Sequence, residues 1–316
     1  MKHGMLMLAV ALLALGARGG ELKPELVPAQ ATWFAHLDVE KLLASQAGAK
    51  LLEEIKADAK LTAQFDAIQN TVGVDLRKDI KGLSLFGPDT QKDRGVMVFS
   101  GPANTDKLLT VIKANPSHEE LAEGDLTMHK WTDKGHDNYG FILPGGICVI
   151  SGYAEAARVT AQVMHSGQGG LTAASTLGGL AKSGADCILH AAVDGQVGLP
   201  GGQPQAALLK KIVAADLKLN ERDAKVSAEL TLLADSPASA AQLADIARGL
   251  IAYGQLAEDL APQWKQLALA AAVAQSGTQI KLTAGCTAAE LVEWIKKARG
   301  GHHQVKSSAT AAGGGT

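Results

Sequence analysis

The chain has 316 residues, 47% hydrophobic and 20% charged, and 30 basic against 32 acidic side chains leave a formal net charge of −2. That apolar fraction excludes a wholly disordered chain, and the even charge balance lacks the basic excess of a nucleic-acid binder. Three cysteines in this length exclude a disulfide scaffold, and 4% aromatic residues leave little from which to build stacking platforms.

Residues 1–20 read as a secretory signal peptide. Lys2 and His3 make a polar start, residues 5–15 are an apolar run, and Ala14/Gly16 and Ala17/Gly19 offer small side chains at cleavage spacing. A spanning helix needs about 20 apolar residues, and Arg18 interrupts the run before that. No later segment is long enough either. Loss of Lys2 and Arg18 with the signal takes the basic count from 30 to 28 against 32 acidic, a net of −4. The expectation is an exported chain, periplasmic or extracellular, with no transmembrane segment in its mature form.

Residues 21–165 read as a first α+β half. Trp33, Phe34, Ala35, His36, Leu37 and Asp38 form a strand, followed by helical patterning over 39–70. Leu42, Leu43, Leu51, Leu52, Ile55, Phe65 and Ile68 fit one helical stripe, with a break near Asp58. Strand, small-residue turn and helix then recur five times. The pairs are 96–99 with 105–114, 147–150 with 154–164, 187–193 with 205–214, 226–233 with 237–260, and 279–283 with 287–298. Additional strands at 83–86, 139–143, 216–219 and 267–274 precede all but the third, across turns such as Pro144-Gly145-Gly146. The unit is therefore strand-strand-helix. Ser236-Pro237 places an N-cap before a proline at the first helical position, and Thr287 with Glu290 has capping-box spacing.

Alternation over 225–232, with Val226, Ala228, Leu230 and Leu232 on one face, is the trait of an antiparallel sheet solvated on one side. The predicted fold class is α+β: repeated strand-strand-helix units forming largely antiparallel sheet, with helices packed on one face. Residues 166–184, rich in Gly, Ser and Thr, read as a linker to a second α+β half at 185–298, and 299–316 as a disordered tail. Two domains and one continuous sheet both remain open at this point.

Four short motifs carry a resemblance. They are Val27-Pro28-Ala29-Gln30-Ala31-Thr32 before the strand ending in Asp38, Gly73-Val74-Asp75-Leu76 with Asp79-Ile80, Phe99-Ser100-Gly101, and Ile150-Ser151-Gly152. In this order the chain resembles a family of uncharacterised secreted bacterial proteins of planctomycete and verrucomicrobial type. The resemblance implies an exported α+β protein and carries over no catalytic residue.

Chemistry-bearing spacings are scarce. No two histidines have the His-x-x-x-His spacing of a helical zinc site, and Cys187 and His190, three apart on a strand, point to opposite faces. His118-Glu119-Glu120 and His136-Asp137 lie in polar stretches that read as solvent-facing, and His302-His303 sits on the tail. Ser84 in Gly82-Leu83-Ser84-Leu85-Phe86-Gly87 misses nucleophile-elbow spacing, and no phosphate-binding glycine motif occurs. Cys148 and Cys187 read as small hydrophobes, with a Cys148–Cys187 disulfide as the preferred pair if one oxidises. Cys286 precedes a helix N-terminus, a position able to lower a thiol pKa. No catalytic, cofactor-binding or metal residue is assigned. The reading is an exported, non-enzymatic envelope protein of binding or scaffolding type, its partner an envelope protein or an apolar small molecule. One alternative is a carrier holding an apolar ligand in a cavity under the sheet, which requires roughly 300 Å³ or more. The other is a hydrolase or a thiol enzyme using Cys286.

Overall fold

The computed structural model describes residues 20–91, 93–101, 105–182, 184–195 and 210–296. The segments read as signal peptide and tail lie outside the described residues, apart from Gly20.

Among the described residues twelve strands form one antiparallel sheet. In chain order they are β1 (Trp33–Asp38), β2 (Gly82–Gly87), β3 (Val96–Ser100), β4 (Glu119–Glu123), β5 (Leu126–Asp133), β6 (His136–Leu143), β7 (Ile147–Ser151), β8 (Cys187–Asp194), β9 (Ile212–Arg222), β10 (Lys225–Ala234), β11 (Ala272–Ser276) and β12 (Gln279–Thr287). Their order across the sheet is β11-β12-β10-β9-β8-β1-β2-β3-β7-β6-β5-β4. The class expected from sequence, α+β with a largely antiparallel sheet, is what the structure has. The sheet is continuous, because the first strands of the two halves, β1 and β8, pair with each other at its centre.

The halves run outward from that joint with the same topology, β1-β2-β3-β7-β6 matching β8-β9-β10-β12-β11. His36 and His190 stand directly opposite one another at the centre. Among the described residues four strand-strand-helix units are present, ending in α4 (Asp106–Lys113), α5 (Ala154–Ser166), α7 (Pro237–Leu256) and α9 (288–296), although residues 267–270, expected to open a strand of the last unit, are helical and that strand starts at Ala272. The helix expected over 205–214 differs: Ile212, Val213 and Ala214 begin β9, paired with β8 and β10, and the earlier part lies outside the described residues. The β-branched Ile212-Val213 pair suits a strand better than a helix. Residues 166–184, expected as a linker, include α6 (Thr176–Leu180), and Leu171, Leu177 and Ala181 are buried in the main core.

Local chemistry explains the punctuation. Asp58 ends α2 (Gln46–Ala57) and caps α3 (Ala59–Val72), accepting from Lys60 N and Leu61 N. Ser45 divides α2 from α1 (Val39–Ala44) in the same way, accepting from Gly48 N. Thr287 and Glu290 form the expected capping box, Glu290 N donating to Thr287 Oγ1 and Thr287 N to Glu290 Oε2. Ser236 caps α7 through Ser239 N.

The main core lies on the sheet face of Phe34, Phe86, Val98, Phe141 and Val149, under α5, α6 and the N-terminal segment. Helices α1–α3 lie against the opposite face beside β1, β2 and β3, in addition to the single covered face anticipated. Helix α7 packs Ala240, Leu243 and Ala244 on Leu232 and Ile280, and α8 (Pro262–Ala270) packs beside α7. The charged edge strand β4, with Glu119, Glu120 and Glu123, discourages further strand pairing.

Candidate functional site

The sheet face opposite the main core carries Leu37 from β1, Leu83 from β2 and Met97 and Phe99 from β3, side by side in register. Above it, α1–α3 present Leu42, Leu43, Leu52, Ile55 and Phe65. These are five of the seven stripe residues read from sequence; Leu51 and Ile68 are not part of the lining. While α1 packs Val39 and Leu43 against Leu37 and Phe99, α2 and α3 do not meet the sheet closely: α3 has no buried residue, and α2 buries only Ala47 and Gly48. The gap is a cleft of about 460 Å³ whose lining also includes Val39, Leu76 and Ile80. Beyond Met97 the same face continues into a more polar hollow of about 360 Å³ that includes Trp33, Leu85 and Ile150.

Among the described residues one charged side chain lines the cleft, and its charge is already matched. Arg77 Nε donates to Asp75 Oδ1 at 2.8 Å, its terminal nitrogen lies 3.0 Å from Asp66 Oδ1, and its carbon lies 5.9 Å from the Phe65 ring centre. The hydrogen bond from Arg77 holds the Asp75 carboxyl below its usual range despite burial. The cleft is therefore not an anion trap, and the rest of its lining is apolar.

A second cluster lies at the central joint on the core face. His36 Nε2 donates to the Gly20 carbonyl at 2.7 Å, which leaves Nδ1 to accept from Ser84 Oγ at 2.8 Å. Across the joint, His190 Nε2 lies 3.0 Å from Asp216 Oδ2, which also meets Lys218 Nζ at 3.0 Å. His190 Nδ1 is buried without a hydrogen-bond partner among the described residues. Burial pushes the His36 imidazole below its ordinary value, and burial does the same to His129. Burial raises Asp216, but the bonds from His190, Lys218 and Thr231 outweigh it and bring the carboxyl down.

A pH dependence follows. Below about pH 6.5 unfolded histidines take up protons that buried His36 and His129 resist, so the unfolded state binds more protons and stability is lost as pH is lowered. Loss of the Asp216 bonds adds to this below about pH 4. The thermal midpoint is expected to be flat above pH 7 and to fall steadily from pH 6.5 to 5. Scanning calorimetry of the parent chain and of His36→Asn checks it, the variant showing a shallower slope.

The residues singled out by sequence are dispersed. Cys148 on β7 and Cys187 on β8 are free and are separated by β3, β2 and β1. At about 4.8 Å per strand spacing they are far beyond disulfide reach, which corrects the preferred pairing. A register shift between Cys187 and Leu189 displaces Cys187, whose Sγ donates to Leu189 O while His190 faces Asp216. Cys286 packs with Ala47, Val226 and Leu291, and burial together with Glu290 raises its thiol instead of lowering it. Ser84 meets His36, but on a mid-sheet strand beneath the N-terminal segment. His136 begins β6. His118 does not simply face solvent: its Nε2 lies 3.2 Å from His129 Nδ1, beside Glu120.

No protein-family model and no curated protein matches the chain. Solved structures of TP0453 are similar to it. Crystal form I gives a TM-score of 0.47 at 11% identity, covering 88% of this chain and 98% of that one. Crystal form IV gives 0.48 at 12%, covering 87% and 96%.

Proposed function

We propose that the protein is a non-enzymatic, exported binding protein that holds an uncharged apolar small molecule in the cleft between α1–α3 and the sheet. The observation carrying this reading is the cleft itself, about 460 Å³ and lined by Leu, Ile, Val, Phe and Met with one neutralised arginine. That volume is within the range of small-molecule sites, and burying apolar surface is a sufficient driving force. The signal-peptide pattern of residues 1–20 and the resemblance to secreted bacterial proteins support placement in the cell envelope. Among the described residues no helix is long and apolar enough to cross a membrane.

A second reading, scaffolding, draws on a different surface. Ile246, Leu250, Tyr253 and Leu256 on α7 and Trp264 and Leu269 on α8 are all exposed, Leu256 by 79%. Exposed apolar groups gathered on a helix pair mark an interaction face.

One titration separates the two. N-phenylnaphthylamine, an uncharged apolar fluorophore, is expected to bind the full chain with one-to-one saturation. Leu83→Trp with Met97→Trp fills the cleft floor and should weaken binding at least about tenfold, a loss of about 1.4 kcal/mol. Leu250→Ser with Leu256→Ser should leave it unchanged. The reverse pattern would overturn the cleft reading and favour the α7–α8 face.

A further inference from the structure

We propose that His118, Glu120 and His129 bind one divalent transition-metal ion of the zinc class at the outer edge of the sheet. The site is independent of the apolar cleft. His129 lies on β5 and Glu120 on β4, directly opposite in the register, and His118 immediately precedes β4. One ligand atom from each lies within 4.8 Å of the other two.

The distances suit a metal. His118 Nε2 and His129 Nδ1 are 3.2 Å apart, with rings stacked at 23°. Two imidazole nitrogens each about 2.05 Å from a tetrahedral zinc stand about 3.3 Å apart, so this pair is set at ligand spacing. Glu120 Oε1 is 4.0 Å from His129 Nδ1. An exposed glutamate needs only a small side-chain rotation to close that gap. Two imidazoles and one carboxylate leave a fourth position for water, and imidazole favours zinc, copper, nickel or iron over calcium or magnesium.

The cluster is held before any ion arrives. His118 N donates to Asn115 O, Asn115 Oδ1 accepts from Ser117 N and Oγ, and Ser117 Oγ accepts from Thr132 N. Asn115 Nδ2 also donates to Thr132 O, pinning the turn to β5. His129 is 5% exposed, so its nitrogen cannot swing far. The charged groups facing the site are Glu120 itself and Lys113 from α4, whose Nζ lies 2.6 Å from Glu120 Oε1. Lys113 lowers the Glu120 carboxyl and burial lowers the His129 imidazole, both in the direction of the forms that bind a metal. Binding a cation displaces the half-exposed Lys113 ammonium into solvent.

The test is cobalt(II) titration of the full chain at neutral pH, followed by zinc competition. One equivalent should produce visible ligand-field bands of tetrahedral intensity that zinc abolishes. Loss of outer-shell partners alone costs about 10–100-fold in metal affinity, so His118→Ala should cost at least as much. His118 is partly exposed, so its loss leaves the fold intact even if His129→Gln does not. Because His302 and His303 could bind cobalt adventitiously, His302→Ala with His303→Ala is the control and should change nothing. Bands that survive His118→Ala, bands that vanish in the tail variant, or no bands with the parent chain would each overturn the proposal.

Discussion

Asp216→Ala is expected to lower the unfolding free energy by about 3–5 kcal/mol, the cost of removing one partner of a buried ionic cluster. Asp216 is 2% exposed and one oxygen serves both His190 Nε2 and Lys218 Nζ at 3.0 Å. Without it His190, 1% exposed, has no partner on either ring nitrogen, since Nδ1 already has none among the described residues. Lys218 loses its counter-ion at the same time, but at 20% exposure it can extend toward water, which limits the penalty on that side. Asp216→Asn keeps the volume and one acceptor and should cost less. Urea unfolding followed by tryptophan fluorescence measures both. A loss below about 1 kcal/mol for the alanine variant would show that water satisfies the cluster.

Where the fold depends on neighbours in sequence, it was legible. Asp58, Thr287 with Glu290, Ser236-Pro237 and Pro144-Gly145-Gly146 act within a few residues of themselves, and each marks the boundary its chemistry requires. The β4–β5 hairpin was not legible. Glu119-Glu120-Leu121-Ala122-Glu123 has a single large apolar residue because β4 is an edge strand, and an edge strand needs charge more than alternation. Concealing that hairpin also concealed the pairing of His118 with His129, eleven positions apart and joined only by strand register.

The cleft was half legible. Leu42, Leu43, Leu52, Ile55 and Phe65 read as the apolar face of one helix broken near Asp58, whereas a second break at Ser45 spreads them over α1, α2 and α3, and an apolar face looks the same whether its partner face is filled or leaves a gap. The space depends on how far α2 and α3 stand from β2 and β3, and that separation depends on contacts from remote elements. Glu221 at the end of β9 accepts from Gln46 N and Ala47 N and so anchors the start of α2, while Lys296 reaches Glu54 from α9. Both come from the second half of the chain. The joining of the halves at β1 and β8 thus bears on the cleft as well as on the sheet.

Phe34→Ala is expected to cost about 3–5 kcal/mol, the range for deleting a fully buried phenylalanine. Phe34 is 1% exposed, sits on β1 within the main core, and meets the His190 ring edge-on at 5.0 Å between centres. Its loss therefore opens an apolar void and uncovers the histidine that Asp216 holds. A roomy site beside an unpartnered His190 Nδ1 is one that water can enter, and water there would offset part of what Asp216→Ala removes. The two losses should then be less than additive, with a coupling in the range of about 0.5–3 kcal/mol found for residues sharing a partner. A double-mutant cycle with Phe34→Ala, Asp216→Ala and the combined variant reads this directly. Strict additivity would mean that Phe34 contributes only apolar packing and that the polar strip at the joint is independent of it.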